Sequence, residues 1–237
     1  MRILLLRSGS AGLEEGAPAP DVTVLHTHAV EPRPEGVAEA LAFAAAGATL
    51  VVSSKETVRV LLPLFGRPFA RMVAVGEGTG DFLRRVNTGE GAQIVVPTIP
   101  GAAGVLHLLR KSSAPLPSRI LWPRGSDAAS EPLEEIRALG ISLSSPVVYV
   151  KRALSPSELD PSVLADFRAG RFASVAVGST AGLDALLAAV PSPPHVRWGV
   201  LGPETARALA ARHLPAPVVP PRARLADLLD LLRKETP

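Results

Sequence analysis

The chain has 237 residues, of which 47% are hydrophobic and only 4% aromatic, a length that fits one large or two small domains. It contains no cysteine, which excludes disulfide bonds, thiolate zinc sites and thiol nucleophiles. The net charge of +3 comes from arginines spread along the sequence, so we expect no dedicated nucleic-acid surface, whereas a small acidic ligand would be attracted.

Strands and helices alternate along the chain, which predicts an α/β fold built from doubly wound parallel sheets. Strands are predicted over 3–6, 22–25, 49–52, 71–75, 93–96, 119–122, 146–150, 174–177 and 199–201. Helices are predicted over 37–46, 57–65, 101–111, 131–139, 158–168, 181–189 and 225–232, and a single helical turn over 13–16. Two more helices are predicted to follow the two glycine turns described below.

No apolar run has the length of a targeting or membrane segment. The longest, over 40–52, is well below the roughly 20 residues that a membrane-spanning helix needs. The run over 3–6 is too short for a signal peptide and is typical of a first strand. We therefore expect a cytoplasmic protein without a membrane segment, acting as a monomer.

One pattern occurs twice, and the chain is organised around it. Met72 to Leu83 and Trp198 to Leu209 each read as strand, glycine, two further residues, threonine and helix. Segment 2–7 likewise resembles 119–124, and segment 48–54 resembles 173–179. These matches indicate a duplicated β/α unit and hence two similar domains.

Two proline-containing stretches, near 31–34 and 153–156, are predicted as linkers. Strand-end loops of like type lie both between these stretches and outside them. We infer a discontinuous outer domain of residues 1–31 and 154–237, and an inserted domain of residues 35–152, joined by a two-segment linker. Parallel sheets bind ligands at the carboxyl ends of their strands, so we expect the two domains to share a cleft.

The candidate binding groups follow the predicted strands. A helix that begins at a strand end points backbone N–H groups above the sheet edge, which favours carboxylates or phosphates. The residues predicted to bind such a ligand are Arg7, Ser54, Gly76, Thr79, Arg124, Ser179, Thr180, Gly202 and Thr205. Taken singly, each hydroxyl is better explained as the N-cap of its own helix. Their recurrence at matching positions of both halves favours a ligand, although duplication would also copy such caps.

Other kinds of site receive less support from the sequence. The glycine turn at Gly76 is followed by Asp81, whose charge is wrong for the pyrophosphate of a dinucleotide. His26 and His28 would share one strand face, as a metal pair does, but no third ligand lies nearby, so no metal is expected. Neither a Walker loop nor a nucleophile elbow occurs.

Tyr149 is the only tyrosine of the chain and its most informative single residue. It lies at the end of a predicted strand, just before the second linker, and hence near the wall of the expected cleft. Lys151 shares its strand face and would place an ammonium near the phenol. The alternative is a core tyrosine whose hydroxyl lies at the rim.

The sequence resembles uroporphyrinogen-III synthases over nearly its whole length. The resemblance is carried by RILWPRG at 119–125, VVYVKR at 147–152, AVGST at 176–180 and, most specifically, VLGPETARAL at 200–209. It implies two α/β domains with the middle of the chain inserted into the outer domain. It also implies that linear hydroxymethylbilane, a tetrapyrrole polycarboxylate, closes to uroporphyrinogen III through a spiro intermediate, with loss of water and no cofactor or metal.

The same resemblance implies roles for individual residues. Tyr149 matches the tyrosine that assists departure of the hydroxyl, and the matched binding hydroxyls are those of Ser54, Thr79, Ser179 and Thr205. The chain departs from the family in the first hydroxyl loop, which reads Ser-Ser-Lys-Glu at 53–56 where members often carry a threonine, serine and proline, and at Gly178, where they carry a bulky residue. A non-catalytic two-domain binder of a tetrapyrrole or another polyanion is the alternative, and a nucleotide-dependent α/β enzyme is a third hypothesis.

Overall fold

A computed structural model describes residues 2–8, 19–62, 69, 71–86, 93–99, 101–111, 115–128, 131–222 and 224–234. Its strands are β1 (Ile3–Ser8), β2 (Val22–Pro32), β3 (Thr49–Val52), β4 (Arg71–Ala74), β5 (Gln93–Val95), β6 (Arg119–Leu121), β7 (Arg124–Gly125), β8 (Ser142–Ser144), β9 (Val147–Ala153), β10 (Ser174–Val177) and β11 (Arg197–Val200). Its helices are α1 (Pro34–Ala45), α2 (Lys55–Val60), α3 (Glu77–Val86), α4 (Ala102–Lys111), α5 (Glu131–Arg137), α6 (Pro161–Arg168), α7 (Thr180–Ala189), α8 (Pro203–Ala210) and α9 (Leu225–Lys234). The helical turn predicted over 13–16 lies outside the described residues.

The strands form two sheets. One has the order β11-β10-β1-β2-β9-β7 and the other the order β5-β4-β3-β6-β8. Every pair whose register is described is parallel, and a helix separates most consecutive strands, though not β6 from β7 or β8 from β9. The predicted α/β class is therefore confirmed.

The duplication seen in the sequence is repeated in the register of the sheets. Register partners across three adjacent strands are Leu4, Val175 and Trp198 in one copy and Leu121, Leu50 and Met72 in the other. These are the positions that the aligned sequence segments pair with one another. Matched sequence thus produces matched strand pairing, because the apolar pattern of each strand fixes its register.

The two copies differ in the sequence order of their matching strands. In the five-stranded sheet, β3 and β4 come before β6 and β8 in sequence. In the six-stranded sheet, β10 and β11, the counterparts of β3 and β4, come after β1 and β2, the counterparts of β6 and β8. A parallel bridge joins Gly199 of β11 to Val218, which thus occupies the position beside β11 that β5 occupies beside β4. The strand pairs β3–β4 and β6–β8 thus stand in the opposite sequence order to their counterparts, and all four strands lie between β2 and β10 in the chain.

The contacts divide the chain into two units. Unit 1 comprises Met1–Ala29 and Arg152–Pro237, and unit 2 comprises Val30–Lys151. Both boundaries fall inside strands, β2 and β9, and α1 begins at Pro34, a residue that suits the first helical turn. The stretch predicted as a linker near 31–34 is therefore a strand end followed by a helix start.

Each sheet has an apolar core on both of its faces. In unit 2, Leu50 on β3 belongs to a cluster that includes Val58 and Leu83 from α2 and α3. The next residue, Val51, belongs to the cluster on the opposite face, with Val105 from α4 and Ile136 from α5. Consecutive residues point to opposite faces, so the continuous apolar run of such a strand is explained by its double cover.

Unit 1 repeats this arrangement. Leu4 packs in one cluster with residues of α6, α7 and α8, and Leu5 in another with Leu228 and Leu232 of α9. Helix α9 approaches β11 so closely that a Cβ on Gly199 would lie 2.8 Å from Leu228 Cδ1. Among the described helices, none is long and apolar enough to cross a bilayer.

Several local features differ from the prediction. Strand β2 continues to Pro32, and its register with β1 shifts so that Arg7 pairs with His26 and Ser8 with His28. The intervening Thr27 breaks the simple alternation that would have placed the two histidines on one face. Helix α6 begins only at Pro161, and the short strands β7 and β8 were not predicted, since two or three residues give no readable period.

Candidate functional site

The predicted binding residues lie at the carboxyl ends of parallel strands in each unit. In unit 2, Ser54 follows β3, Gly76 and Thr79 follow β4, and Arg124 follows β6. In unit 1, the corresponding residues are Arg7 at the end of β1, Ser179 and Thr180 after β10, and Gly202 and Thr205 after β11. Within each unit, the parallel pairing brings these strand ends to one edge of the sheet.

The two matched serines are N-caps. Ser54 has extended backbone and its Oγ accepts a hydrogen bond from Thr57 N at 3.1 Å. Ser179 has the same backbone conformation and its Oγ accepts from Gly182 N at 3.3 Å. Duplication has therefore copied the capping role, which was the structural alternative for these hydroxyls.

Ser54 makes a further contact that distinguishes it from Ser179. Its Oγ lies 3.0 Å from the hydroxyl of Tyr149, a residue of β9. The same Oγ lies 3.0 Å from Thr57 Oγ1, and Thr57 is fully buried. A chain of three hydroxyls thus begins at Tyr149 and ends in the core of unit 2.

Tyr149 is a core residue with a polar end. It is 3% exposed and belongs to the apolar cluster around β3 and β4, which fits the alternative interpretation of Tyr149 as a core tyrosine. Its ring lies against Gly125, where a Cβ would be 2.7 Å from Tyr149 Cε2 and Cζ. Gly125 is also its register partner on β7, so the absence of a side chain there fixes how closely the ring approaches.

The loop that follows β7 is held in place by Arg124 and by the backbone. Arg124 Nη1 donates to Ala128 O at 2.9 Å, across the turn that its own strand enters. Ser126 N donates to Tyr149 O at 3.0 Å. Arg124 is therefore engaged in its own loop, at the position where a substrate contact was predicted.

Lys151 lies near Tyr149, as the shared strand face predicted. Its Nζ is 6.0 Å from the centroid of the Tyr149 ring and 3.2 Å from Asp127 Oδ2, on the same loop as Gly125. The lysine thus ties β9 to the loop beside the tyrosine. The acidic partner Asp127 had not been singled out from the sequence.

A cation that was not among the predicted binding residues lies beside the first glycine turn. Lys55 begins α2, directly after Ser54, and a Cβ on Gly78 would be 3.7 Å from Lys55 Cε and 3.9 Å from Nζ. Gly78 belongs to the first turn of α3, which starts at Glu77. Lys55 belongs to the loop 53–56 that departs from the family pattern, and only the tertiary structure shows that it lies next to Gly78.

Unit 1 has a cavity at its corresponding edge. The cavity measures about 230 Å³ and is lined by residues that include Leu6, Arg7, Gly178, Ser179 and Leu201. Arg7 is half-buried there and has no ion pair with a carboxylate of the described residues.

The matched threonines differ in burial. Thr79 is half-buried at the start of α3, whereas Thr205 is only 7% exposed in α8. Thr180, the first residue of α7, is half-buried. Gly202 caps α8 with extended backbone, and a Cβ on Gly76 or Gly202 would meet nothing within 4 Å, so both turns leave open space above the helix start.

The described residues contain no group of three or more histidine and acidic side chains that could hold a metal ion. His28 is buried, and its Nδ1 lies 3.0 Å from Thr27 Oγ1. Thr27 Oγ1 also donates to Arg7 O at 3.2 Å. His28 therefore belongs to the packing around β1.

Three carboxyl groups whose pKa is lowered, those of Glu158, Asp160 and Asp166, lie outside these strand ends. Hydrogen bonds from Arg152 and from Ser155 lower the pKa of Glu158 from 4.5 to about 2. The pKa of Asp160 is lowered chiefly by the Ser162 hydroxyl at the start of α6, and that of Asp166 chiefly by the Arg2 guanidinium. These carboxylates support α6 and its neighbours rather than a reactive centre.

Comparison with known proteins decides the family. A family model described as uroporphyrinogen-III synthase HemD matches residues 12–230. The chain belongs to the uroporphyrinogen-III synthase family. No curated protein sequence matches this member of the family.

Solved structures of uroporphyrinogen-III synthases share the fold. The enzyme from Helicobacter pylori 26695 is 17% identical, and the match covers 100% of both chains with a TM-score of 0.58. A mutant enzyme from Thermus thermophilus is 16% identical, with 90% of this chain and 88% of that chain covered and a TM-score of 0.46. The wild-type enzyme from the same organism is 16% identical, with coverages of 98% and 96% and a TM-score of 0.44. At these identities the first likeness, whose TM-score is above 0.5, bears on the fold alone.

Proposed function

We propose that this chain closes hydroxymethylbilane to uroporphyrinogen III, with inversion of the last ring and loss of water. The observation that carries the proposal is the uroporphyrinogen-III synthase family match over residues 12–230. The details of the reaction follow from the family. The residues assigned below are those of this chain whose position and chemistry suit each task.

The substrate is a linear tetrapyrrole polycarboxylate, and the carboxyl ends of both sheets offer groups that suit carboxylates. In unit 2 these are the first turn of α3 after Gly76, the Thr79 hydroxyl and the Lys55 ammonium. In unit 1 they are the Arg7 guanidinium and the helix starts at Thr180 and after Gly202. Backbone N–H groups and the helix dipole favour negative charge at such positions.

We assign both sets of groups to one substrate molecule. The support is the duplication, which gives each unit the same strand-turn-helix at the same edge of its sheet, and the inserted topology implied by the family. The shared cleft and the two-segment linker are part of this proposal, with the chain crossing between the units in β2 and in β9. Under this assignment, groups of both units bind carboxylates of the same ligand molecule.

Tyr149 is assigned the proton transfer that releases the hydroxyl of the substrate. The phenol donates its proton to that hydroxyl, the carbon–oxygen bond breaks, and water leaves. Ser54, at 3.0 Å, can donate to the phenolic oxygen as its proton departs, which stabilises the charge that develops there. The spiro intermediate and ring recombination that follow use the electrons of the pyrrole rings.

Arg124 and Thr205 are assigned indirect roles in the same site. Arg124 holds the loop that lies under Tyr149, and Thr205, which is buried, supports the start of α8. Ser179 caps α7 and so orients the N–H groups of that helix toward a carboxylate. These three residues position the binding groups.

The test is a coupled assay in which hydroxymethylbilane is generated in situ and the products are oxidised and separated by isomer. Predominance of isomer III over the spontaneously formed isomer I supports the proposal, and isomer I alone contradicts it. Tight binding of the linear tetrapyrrole without turnover would instead select the non-catalytic binder. Stabilisation by nucleotides and not by the tetrapyrrole would select a nucleotide-dependent enzyme.

A further inference from the structure

Unit 2 also has a cavity, which lies at the edge of its sheet opposite to Ser54. It measures about 310 Å³ and is lined at the amino ends of β3, β4 and β6 by Thr49, Arg71 and Arg119. The remaining wall includes the hydroxyl-bearing Ser118 and the apolar residue Phe69. The candidate substrate groups follow the other ends of these same strands, so the cavity is separate from them.

Among the described residues, the two arginines of this cavity lack acidic partners. The Nε atoms of Arg71 and Arg119 are buried and have no hydrogen-bond acceptor within that part of the chain. The Arg119 guanidinium lies 4.1 Å above the ring of Phe43. The stretches 40–55, 57–76 and 91–126, from which the lining comes, contain no aspartate or glutamate. Within the described ranges, no carboxylate therefore pairs with either arginine.

In unit 1, the corresponding arginine has an acidic partner. Arg2, the counterpart of Arg119, forms an ion pair with Asp166 at 2.8 Å. Asp166 lies three residues before the C-cap of α6, and Phe43 lies three residues before the C-cap of α1. Arg2 also lies 4.6 Å from the centroid of the Phe172 ring, so both arginines contact a phenyl ring, but among the described residues only Arg2 has a carboxylate partner.

We propose that this cavity of unit 2, named here the Arg71–Arg119 cavity, binds a small molecule with a phosphate or carboxylate head and an apolar body. Two guanidinium groups match the planar, multidentate hydrogen bonding of such a head. Phe69, Ala44 and Pro117 provide apolar walls for the body. The proposal concerns a site apart from the cyclisation chemistry and does not depend on it.

The first experiment uses the intact chain with phenyl phosphate, benzoate and inorganic phosphate as probes. Calorimetry measures affinity, and NMR of the arginine side chains reports which guanidinium groups respond. We expect phenyl phosphate or benzoate to bind more tightly than inorganic phosphate, with the resonances of Arg71 and Arg119 shifting on titration. Absence of binding by all three, or shifts confined to other arginines, would overturn the proposal.

Variants then test the assignment. The double variant Arg71→Gln/Arg119→Gln should bind the best probe at least about tenfold more weakly, since two charge-assisted contacts are lost. Arg110→Gln removes one positive charge from an exposed ion pair with Glu135 and should bind like the unaltered chain. Equal weakening in Arg110→Gln, or unchanged affinity in the double variant, contradicts the proposal.

A substitution suggested by the duplication supplies an independent test. Phe43→Asp places in α1 the carboxylate that Asp166 provides in α6, and it should neutralise Arg119 and weaken probe binding. Phe43→Leu controls for the loss of the ring. If both variants retain full affinity, the unneutralised charge of Arg119 is not what binds the probe, and the proposal fails.

Discussion

The hydroxyl of Tyr149 lies 3.0 Å from Ser54 Oγ, although 95 positions separate the two residues in sequence. Ser54 is at the same time the N-cap of α2, so one oxygen atom both orders a helix and contacts the phenol. Ser179 has the matched capping role without a tyrosine partner. This difference between the copies allows the two tasks to be separated experimentally.

Replacing Tyr149 by phenylalanine should lower kcat for uroporphyrinogen III formation by roughly 10²-fold, the usual effect of losing a positioned proton donor. The free energy of unfolding should fall by about 1 kcal/mol or less, because Ser54 keeps its contacts with Thr57. Coupled assays and denaturant unfolding measure the two quantities. Unchanged kcat would remove the assigned role.

Ser54→Ala and Ser179→Ala should each lower stability by about 1 kcal/mol, since each removes one N-cap. Only Ser54→Ala should lower kcat through the phenol, and it should add little to the effect of Tyr149→Phe in a double-mutant cycle. The cycle is measured with steady-state kinetics. Fully additive losses at Ser54 and Tyr149 would show that the two hydroxyls act independently.

Gly125→Ala should displace the Tyr149 ring, because the added Cβ would lie 2.7 Å from ring carbons and 2.7 Å from Asp127 Oδ1. We expect a stability loss of about 1–3 kcal/mol from overpacking and a fall in kcat. Gly178→Ala is the matched control, since its nearest contact would be an ordinary 3.7 Å to Leu6 O. Equal stability of the two variants would contradict the close approach of the ring.

Lys55→Gln should raise KM for hydroxymethylbilane about three- to tenfold and leave kcat nearly unchanged, because it removes a cation beside the first turn of α3. Arg84→Gln deletes the same charge from an exposed ion pair with Asp81 and serves as control. Kinetics at low and high salt measure both. If Arg84→Gln has the larger effect, the charge acts at long range and not at the glycine turn.

Glu158 predicts an acid-dependent loss of stability. Its pKa is lowered from 4.5 to about 2 by hydrogen bonds from Arg152 and Ser155, so the folded chain holds the carboxylate in its ionised form. The stabilisation is complete above the ordinary pKa and disappears as the pH falls through about 2. The difference in unfolding free energy between wild type and Glu158→Gln should therefore shrink between pH 5 and pH 2. A difference that stays constant with pH would contradict this assignment.

Much of the fold was predictable because its signals are local. The apolar runs of β1, β3 and β10 gave strands with the correct starts, and the helix after each glycine turn follows from its first-turn residues. The second half of β2 was missed because its histidines and threonine do not resemble a buried strand, and Thr27 shifts the register there. Strands as short as β7 owe their existence to pairing with β9.

The candidate site was predictable only in part. The strand-end positions of Ser54, Thr79, Ser179 and Thr205 follow from the repeated pattern, but which of them is buried depends on packing. The contacts of Lys55 with the turn at Gly78, and of Arg124 with its own loop, join residues whose local sequences do not indicate each other.

The sequence by itself determined the alternation of strands and helices, the duplication, and through the duplication the matched register of the two sheets. These are properties of apolar periodicity and of turn residues, which act over one element at a time. Only the tertiary structure decided that Tyr149 contacts Ser54, and that Arg119 stacks on Phe43 where its counterpart Arg2 pairs with Asp166. Such pairs arise from how separate elements pack, and neither partner's neighbouring sequence carries information about the other.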